Sequence, residues 1–201
     1  MSVGNSIGGN VEVFLDLETT GFSSSIHEII EIGALKFRDG VLIEQFQRRI
    51  KPEKYVPLDI QNLTGITNEM LSDCESITTV LPEFIDFCGD ADLFGYNLNF
   101  DYNFLCAKSK VLGFDFTLNG KRHGVDVLKI VRSQHKGFPD YKLTTVVGLL
   151  GVPADVSNAH TAYYDAYMTR LVYNRCVPVT PYILDKSKYG KPEITATLDF
   201  E

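Results

Sequence analysis

Hydrophobic and polar positions alternate along the first fifty residues in a way that predicts three β-strands. Residues 11–17 contain the apolar run VFL, which is typical of a buried strand. A second β-rich run covers residues 28–37, and Asp39-Gly40 is a strong hairpin signal before a third run at residues 41–50. The chain is therefore expected to begin with an antiparallel meander of three strands.

After this meander the apolar residues recur mainly at helical spacing, as Val80, Phe84 and Phe87 do. The predicted later elements are helices at residues 57–63, 67–71, 77–88, 97–110, 127–135, 142–150 and from 158 or 161 to 175, with strands at 90–96 and 125–127. This order predicts an α/β fold with a mixed five-stranded sheet, in which the meander and two helix-linked strands have helices on both faces.

Composition and charge limit the possible classes of protein. The chain has 201 residues, 44% of them hydrophobic, which suits one globular domain at residues 11–176 with a flexible leader (1–10) and a C-terminal tail (177–201). No apolar run approaches the ~20 residues that cross a bilayer, so we expect no membrane partner, and the scattered cysteines fit a cytoplasmic protein. The net charge of −7 argues against a broad grip on duplex nucleic acid. Reduced thiols in the core are the expected state of Cys74, Cys88, Cys106 and Cys176.

The first strand ends in two carboxylates, Asp16 and Glu18. Side chains two apart on a strand point the same way, so these two repel each other unless a positive group compensates them. Clustered carboxylate oxygens suit Mg²⁺ or Mn²⁺, which makes a divalent cation the natural candidate. An acidic strand tip that faces water is the alternative that this pair alone leaves open.

Two later segments offer further polar groups at element boundaries. Asn97 and Asp101 follow the fourth strand and share a face of the next helix, although they could also cap that helix and match its dipole. His160 and Asp165 lie five apart, which on an ideal helix turns them by roughly 140° from each other. They converge only if His160 lies on the preceding loop; otherwise His160 is an ordinary solvent-facing residue.

Taken together, these segments resemble the three motifs of the DEDDh 3′–5′ exonucleases, the family of the proofreading subunit or domain of bacterial replicative DNA polymerases. The motifs in this chain are Asp16-x-Glu18, Asn97-x-x-Phe100-Asp101 and His160-x4-Asp165. The phrases FLDLETTG, NLTGITNEML and KLTTVVGLLGV agree with the resemblance. One departure is Tyr96, where the family often has His. The resemblance implies a ribonuclease-H-like fold, in agreement with the strand and helix order.

The resemblance also implies roles for individual residues. Two divalent cations, Mg²⁺ or Mn²⁺, would be held by the metal ligands Asp16, Glu18, Asp101 and Asp165. These four residues and His160, the expected general base on the attacking water, form the predicted catalytic set. The expected reaction is hydrolysis of a phosphodiester at a 3′ end with release of a nucleoside monophosphate.

A pocket for the terminal nucleotide is expected beside this set. Its predicted substrate-binding residues are Thr19, Thr20, Gly21, Phe22, Leu63, Ile66, Thr67, Asn97 and Phe100. Leu63 or Ile66 could wedge between the last two bases, and Phe100 either lines the floor or packs in the core. Thr19 and backbone N–H groups could hold the sugar.

The expected partners are single-stranded or frayed 3′ ends of DNA. Trimming of RNA ends and a catalytically inactive nucleic-acid-binding module remain as alternative functions, because the sequence does not show what meets the 2′-hydroxyl. Whether the chain acts as a free nuclease or with a DNA polymerase catalytic subunit is also open.

Overall fold

A computed structural model describes residues 10–114, 116 and 123–177 of the chain. Apart from Asn10 and Val177, the predicted leader and tail lie outside these ranges. The five strands are β1 (Val11–Thr19), β2 (Ile29–Arg38), β3 (Val41–Arg49), β4 (Asp92–Gly95) and β5 (Gly124–Asp126).

The strands form one mixed sheet in the order β3-β2-β1-β4-β5. The first three pair antiparallel, whereas β1–β4 and β4–β5 are parallel. This arrangement confirms the predicted meander followed by two helix-linked strands. It also places the end of β1, which carries Asp16 and Glu18, at the sheet edge where β4 and β5 end.

Seven α-helices complete the part of the fold that the structure describes. They are α1 (Leu58–Thr64), α2 (Asn68–Leu71), α3 (Ile77–Cys88), α4 (Leu98–Leu112), α5 (Val127–Gln134), α6 (Leu143–Leu149) and α7 (Ala162–Cys176), with a 3₁₀ turn at Val156–Asn158. Thr67 caps α2 by accepting the N–H of Met70, as its position in the sequence predicts. None of these helices is long and apolar enough to cross a membrane.

The two faces of β1 are covered by different helices. Val13, Leu15 and Leu17 face a core that includes apolar residues of α3 and α4. Phe14 points to the other face, where its ring lies 5.7 Å from that of Tyr173 on α7. Because side chains alternate along a strand, Asp16 and Glu18 share the α7 face with Phe14.

Candidate active site

Three carboxylates meet between the end of β1 and the first turn of α7. Asp16, Glu18 and Asp165 each offer an oxygen atom, and these atoms lie within 4.8 Å of one another. Asp165 is in the first turn of α7, which approaches the sheet directly above the β1–β2 pair. Asp165 is far from Asp16 and Glu18 in the sequence, so it is the packing of α7 on the sheet that brings it to the other two.

Asp101 supplies a fourth carboxylate from the first turn of α4. It is 2% exposed, and its Oδ1 accepts the N–H of Leu17, the strand residue between Asp16 and Glu18, at 3.1 Å. That hydrogen bond ties the second motif to the first. Burial raises the pKa of Asp101 to about 8, against the lowering effect of its backbone hydrogen bonds.

The cluster as a whole is poor in compensating charge. Burial, followed by the charges of Asp101, Asp165 and other carboxylates, raises the pKa of Asp16 well above its ordinary value. Burial and the same kind of repulsion raise the pKa of Glu18 to about 8, and burial raises that of Asp165 to about 6. Among the described residues, no lysine or arginine forms an ion pair with these four carboxylates. An arrangement of this kind favours either protons or a cation from solution.

His160 lies on the loop before α7, in the position that convergence with Asp165 requires. Its backbone is left-handed, with φ of +71°, which is uncommon for a residue with a side chain. The His160 N–H donates to Asp165 Oδ1 at 3.2 Å, and the Thr161 side chain caps α7 by accepting the N–H of Tyr164. The side chain of His160 is exposed, so it is open to a substrate and to water.

A glycine on β2 allows α7 to reach the sheet, and the sequence analysis did not single it out. Gly33 pairs with Asp16 in the β1–β2 register. A Cβ atom built on Gly33 would lie 2.0 Å from the backbone nitrogen of Tyr163, so any side chain here would displace the first turn of α7. An isolated glycine inside a strand often marks such a close backbone approach, and this is the signal that could have identified it.

Glu31 is a second residue that the sequence analysis missed. It pairs with Glu18 in the sheet register and is fully buried. One carboxylate oxygen accepts the N–H of Ala162, the first residue of α7, at 2.9 Å. Arg49 Nε lies 3.6 Å from the other oxygen. An acidic residue between two buried isoleucines of a strand was the available signal, because buried carboxylates need partners.

The turn after β1 is held by its own hydroxyl groups. Thr19 Oγ1 donates to the carbonyl of Gly21 at 2.7 Å, and Thr20 Oγ1 accepts the N–H of Glu28 at 2.9 Å. The His27 ring packs so closely on Gly21 that a Cβ there would lie 2.5 Å from two of its atoms. Phe22, at the tip of this turn, is 82% exposed and presents its ring to solvent.

The segment around α1 separates the two residues proposed as a wedge. Leu63 is 52% exposed. Ile66 is 2% exposed and packs with Ile30, Val56, Ile60 and Leu71, so the expectation that Ile66 could insert between bases is wrong for this conformation.

Thr67 is also committed within the fold, since it caps α2. Of the two residues predicted as a wedge, Leu63 is the one whose side chain is exposed.

The remaining predicted substrate residues lie at the start of α4. Asn97 is exposed and left-handed, with φ of +68°, and its N–H donates to Asp126 Oδ1 at 3.2 Å. Phe100 is partly buried and packs on Phe104, with ring centroids 5.0 Å apart, which favours the core role over the pocket floor. Tyr96 points away into a second core, where its hydroxyl donates to the carbonyl of Tyr141 at 2.7 Å.

A family model described as an exonuclease, RNase_T, matches residues 13–173. The chain therefore belongs to this exonuclease family, which confirms the resemblance drawn from the three motifs and assigns the chain to a class of nucleases.

Curated relatives of the chain include polymerases of the PolC type. The "DNA polymerase III PolC-type" of Thermotoga maritima is 38% identical over 178 residues, which are 88% of this chain and 12% of that protein. The polymerase of the same name from Staphylococcus haemolyticus is 34% identical over 165 residues, 82% of this chain and 11% of the relative. The chain thus spans only a small part of the length of these relatives.

Solved structures of exonucleases share the fold. Exonuclease I matches with a TM-score of 0.75 at 19% identity, over 84% of this chain and 40% of that chain. E. coli exonuclease I in complex with a dA16 oligonucleotide matches with a TM-score of 0.72 at 18% identity, over 84% of this chain and 42% of that chain. Exonuclease X in complex with 5′ overhanging duplex DNA matches with a TM-score of 0.66 at 18% identity, over 84% of this chain and 92% of that chain. These likenesses confirm the predicted ribonuclease-H-like fold class.

Proposed function

We propose that this domain hydrolyses the last phosphodiester bond at the 3′ end of a DNA strand and releases a nucleoside monophosphate. The observation that carries the proposal is the meeting of Asp16, Glu18 and Asp165 oxygens within 4.8 Å on the fold of an exonuclease family. Asp101 lies beside this cluster because it accepts the N–H of Leu17, and His160 lies beside it because its N–H donates to Asp165. The five residues that the motifs predicted are thus the catalytic set of the proposal.

The donor atoms of the cluster fit divalent cations. Asp16, Glu18, Asp101 and Asp165 offer only carboxylate oxygens, which Mg²⁺ and Mn²⁺ prefer. Burial first, and neighbouring carboxylates second, raise their pKa values, and a bound cation would stabilise their charged forms. We propose that the four residues hold two such ions. When bound, the ions supply Lewis-acid stabilisation of the phosphate and the leaving oxygen and lower the pKa of water.

His160 is the proposed general base. Its exposed imidazole can accept the proton that the attacking water loses, and histidine is the side chain that most often acts as a general base. The hydrogen bond from the His160 N–H to Asp165 keeps the loop beside the carboxylates. Geometry therefore links the base and the metal ligands of the proposed site.

Two exposed apolar side chains are proposed to receive the terminal bases. Phe22 and Leu63 are 82% and 52% exposed. Stacking of a base on an aromatic ring such as that of Phe22 is worth ~1–3 kcal/mol and tolerates any sequence, and Leu63 offers an apolar surface beside the bases. The turn that bears Phe22 is held by Thr19 and Thr20 hydroxyls. Those two threonines thus shape the pocket, while backbone groups of the turn remain to meet the sugar.

DNA synthesis is the proposed setting for this activity. The polymerases that the chain resembles are named DNA polymerase III, and the structures with the same fold include complexes with DNA. This supports single-stranded or frayed 3′ ends of DNA as substrate and a polymerase catalytic subunit as partner. Co-purification of the chain with a polymerase large subunit would test the partner directly.

The test of the activity uses 5′-labelled single strands of DNA and RNA with the same sequence, and a duplex whose 3′ end is mismatched. We expect metal-dependent shortening of the DNA single strand and of the mismatched end, because both present an unpaired 3′ terminus, whereas a paired end must first be unstacked at a cost of a few kcal/mol. Asp16→Asn is the matched inactive control. Absence of metal-dependent release, or release by the Asp16→Asn variant at the wild-type rate, contradicts the proposal, and faster cutting of RNA reassigns the substrate.

A further inference from the structure

Glu31 is a buried acidic residue that the proposed reaction does not use. It lies on β2, opposite Glu18 in the sheet register, with its carboxylate between the sheet and the first residue of α7. One oxygen accepts the N–H of Ala162 at 2.9 Å. On the other oxygen, Arg49 lies at 3.6 Å and the Gln47 amide at 3.4 Å.

The charge of Glu31 does not favour the neighbouring site. Its negative charge raises the pKa of Asp16, Glu18 and Asp165, so it adds repulsion to a cluster that already lacks cations. Arg49 belongs to the edge strand and its side chain is 38% exposed, which limits how far it can offset this repulsion. A neutral residue would serve the electrostatics better, so the value of Glu31 must lie in its geometry.

The geometry of Glu31 bears on the third motif. Ala162 is the residue that begins α7, and it stands between His160 on the loop and Asp165 in the first helical turn. Helix N-termini leave N–H groups without helical partners, and Glu31 binds one of them from the sheet. Gly33, two residues further along β2, leaves the space that this close approach needs.

We propose that Glu31 is a positioning residue: its carboxylate oxygen fixes the first turn of α7 on β2, and thereby sets His160 and Asp165 at the reach of Asp16 and Glu18. This inference rests on the proposed function. It assigns no contact between Glu31 and the substrate or the ions. Its effect on the reaction is transmitted through the Ala162 N–H.

A matched control exists further along the same helix. Glu12 on β1 also binds α7, through an ion pair with Arg170 at 2.7 Å, and both side chains are largely buried. Glu12 and Glu31 therefore share the sheet face, the helix and the residue type. They differ in which turn of α7 they hold, because Arg170 is remote from the His160 loop.

The experiment separates position from charge with two variants of each glutamate. Glu31→Gln keeps an oxygen at the same reach but removes the charge, whereas Glu31→Asp keeps the charge and withdraws the oxygen by one methylene. For each variant, and for Glu12→Gln and Glu12→Asp, we would measure kcat and KM on end-labelled DNA with Mg²⁺, amide hydrogen exchange of Ala162, and the unfolding midpoint.

We expect Glu31→Gln to keep kcat within about threefold and to leave the exchange of Ala162 slow. Glu31→Asp should lower kcat by about 10- to 100-fold, since misplacement of reacting groups by 1 Å can cost 10²-fold, and Ala162 should exchange faster. KM should change little in either, because neither variant touches the pocket. The Glu12 variants should lower the unfolding midpoint without this loss of kcat.

Three outcomes would overturn the inference. In the first, Glu31→Gln loses kcat while Glu31→Asp retains it, which would assign the role to charge. In the second, both variants lower only the unfolding midpoint, as the Glu12 variants do. In the third, the exchange of Ala162 is unchanged in Glu31→Asp. If the wild-type protein releases no nucleotide, the proposed function fails, and the exchange of Ala162 still decides whether Glu31 holds the helix.

Discussion

The carboxylates at the two ends of the sheet face under α7 differ in whether a cationic side chain pairs with them. At one end, Glu12 binds Arg170 at 2.7 Å, and the guanidinium also lies 4.9 Å and 4.5 Å from the ring centroids of Phe14 and Phe37. At the other end, Asp16 and Glu18 meet further carboxylates, and no described lysine or arginine forms an ion pair with them. The same strand thus carries a balanced pair and an unbalanced cluster.

This difference distinguishes an acidic residue of the fold from an acidic residue of a site. Where the chain provides its own cation, as at Glu12, the interaction ties a helix to the sheet. Where it provides only carboxylates, the missing positive charge must come from solution, because buried like charges are costly. Each of the following predictions tests one side of this contrast, and they run from the largest expected effect to the smallest.

The strongest test replaces a charge at each end of the strand. Asp16→Asn removes a ligand that the cluster shares, and we expect release of nucleotides to fall by about 10³-fold or more, since bound ions supply several kcal/mol of transition-state stabilisation. Glu12→Gln should keep activity within about threefold and lower stability by up to ~3–5 kcal/mol, the usual cost of breaking a buried pair. Initial rates on end-labelled DNA and denaturant unfolding give the two quantities. Equal losses of activity in both variants would remove the contrast.

The next test concerns the proposed base. His160→Ala should reduce turnover by about 10²–10⁴-fold and leave the affinity for Mn²⁺ largely unchanged, because the imidazole is not among the proposed ligands. His123→Ala is the control, since His123 pairs with Asp92 at the far end of β4. Isothermal titration with Mn²⁺ alongside rate measurements makes the distinction. An equal loss of metal affinity would mean that His160 is itself a ligand.

A single methyl group at Gly33 should disturb the unbalanced end alone. The Cβ of Gly33→Ala would overlap the backbone of Tyr163, so α7 must shift, and overpacking of this kind costs about 1–3 kcal/mol. In addition to this loss of stability, we expect kcat to fall by about 10- to 100-fold, because Asp165 moves with the helix. Gly148→Ala, at a glycine with open space around it, is the control. Retention of full activity in Gly33→Ala would show that the helix tolerates the shift.

The smallest effect is a dependence of stability on pH in the absence of divalent cations. The folded protein holds the pKa of Glu18 and Asp101 at about 8, above the ordinary values of 4.5 and 3.8. At pH values between these limits, the folded state therefore binds more protons than the unfolded state. The free energy of unfolding should therefore decrease as pH rises from about 5 to about 8. Unfolding midpoints in EDTA would measure this decrease, and excess Mg²⁺ should oppose it.

Asp101→Asn is the matched variant, because it removes one of the titrating groups. It should be more stable than the wild type at about pH 8 and show a weaker dependence on pH in EDTA. A wild-type midpoint that rises with pH over this range would contradict the assigned direction of the pKa shifts.

Much of the fold follows from local pattern. Alternation and the Asp39-Gly40 turn predicted the meander, and helical spacing predicted the long helices, because these signals act over a few residues. The sequence left two placements of His160 open, and the structure shows the one on the loop before α7, which is the placement that convergence with Asp165 requires. The motifs therefore predicted which groups the fold brings together.

What the sequence did not predict depends on contacts between distant segments. Glu31 and Gly33 read as ordinary members of a β-rich run until the register places them opposite Glu18 and Asp16 and α7 lies above them. Ile66 was predicted as a possible wedge between bases, but the packing of α1 and α2 buries it. The spacing of apolar residues does not predict strand register or the packing of a helix on another element. These long-range contacts determine the surroundings of Glu31, Gly33 and Ile66.

The place of α7 in the chain has a consequence during synthesis. Asp165 lies on the last helix of the described chain, and His160 immediately precedes it. A nascent polypeptide that has left the ribosome only as far as residue 159 contains Asp16, Glu18 and Asp101 but neither of the other two groups. The proposed nuclease would thus be inert toward every transcript and strand around it until translation has delivered α7.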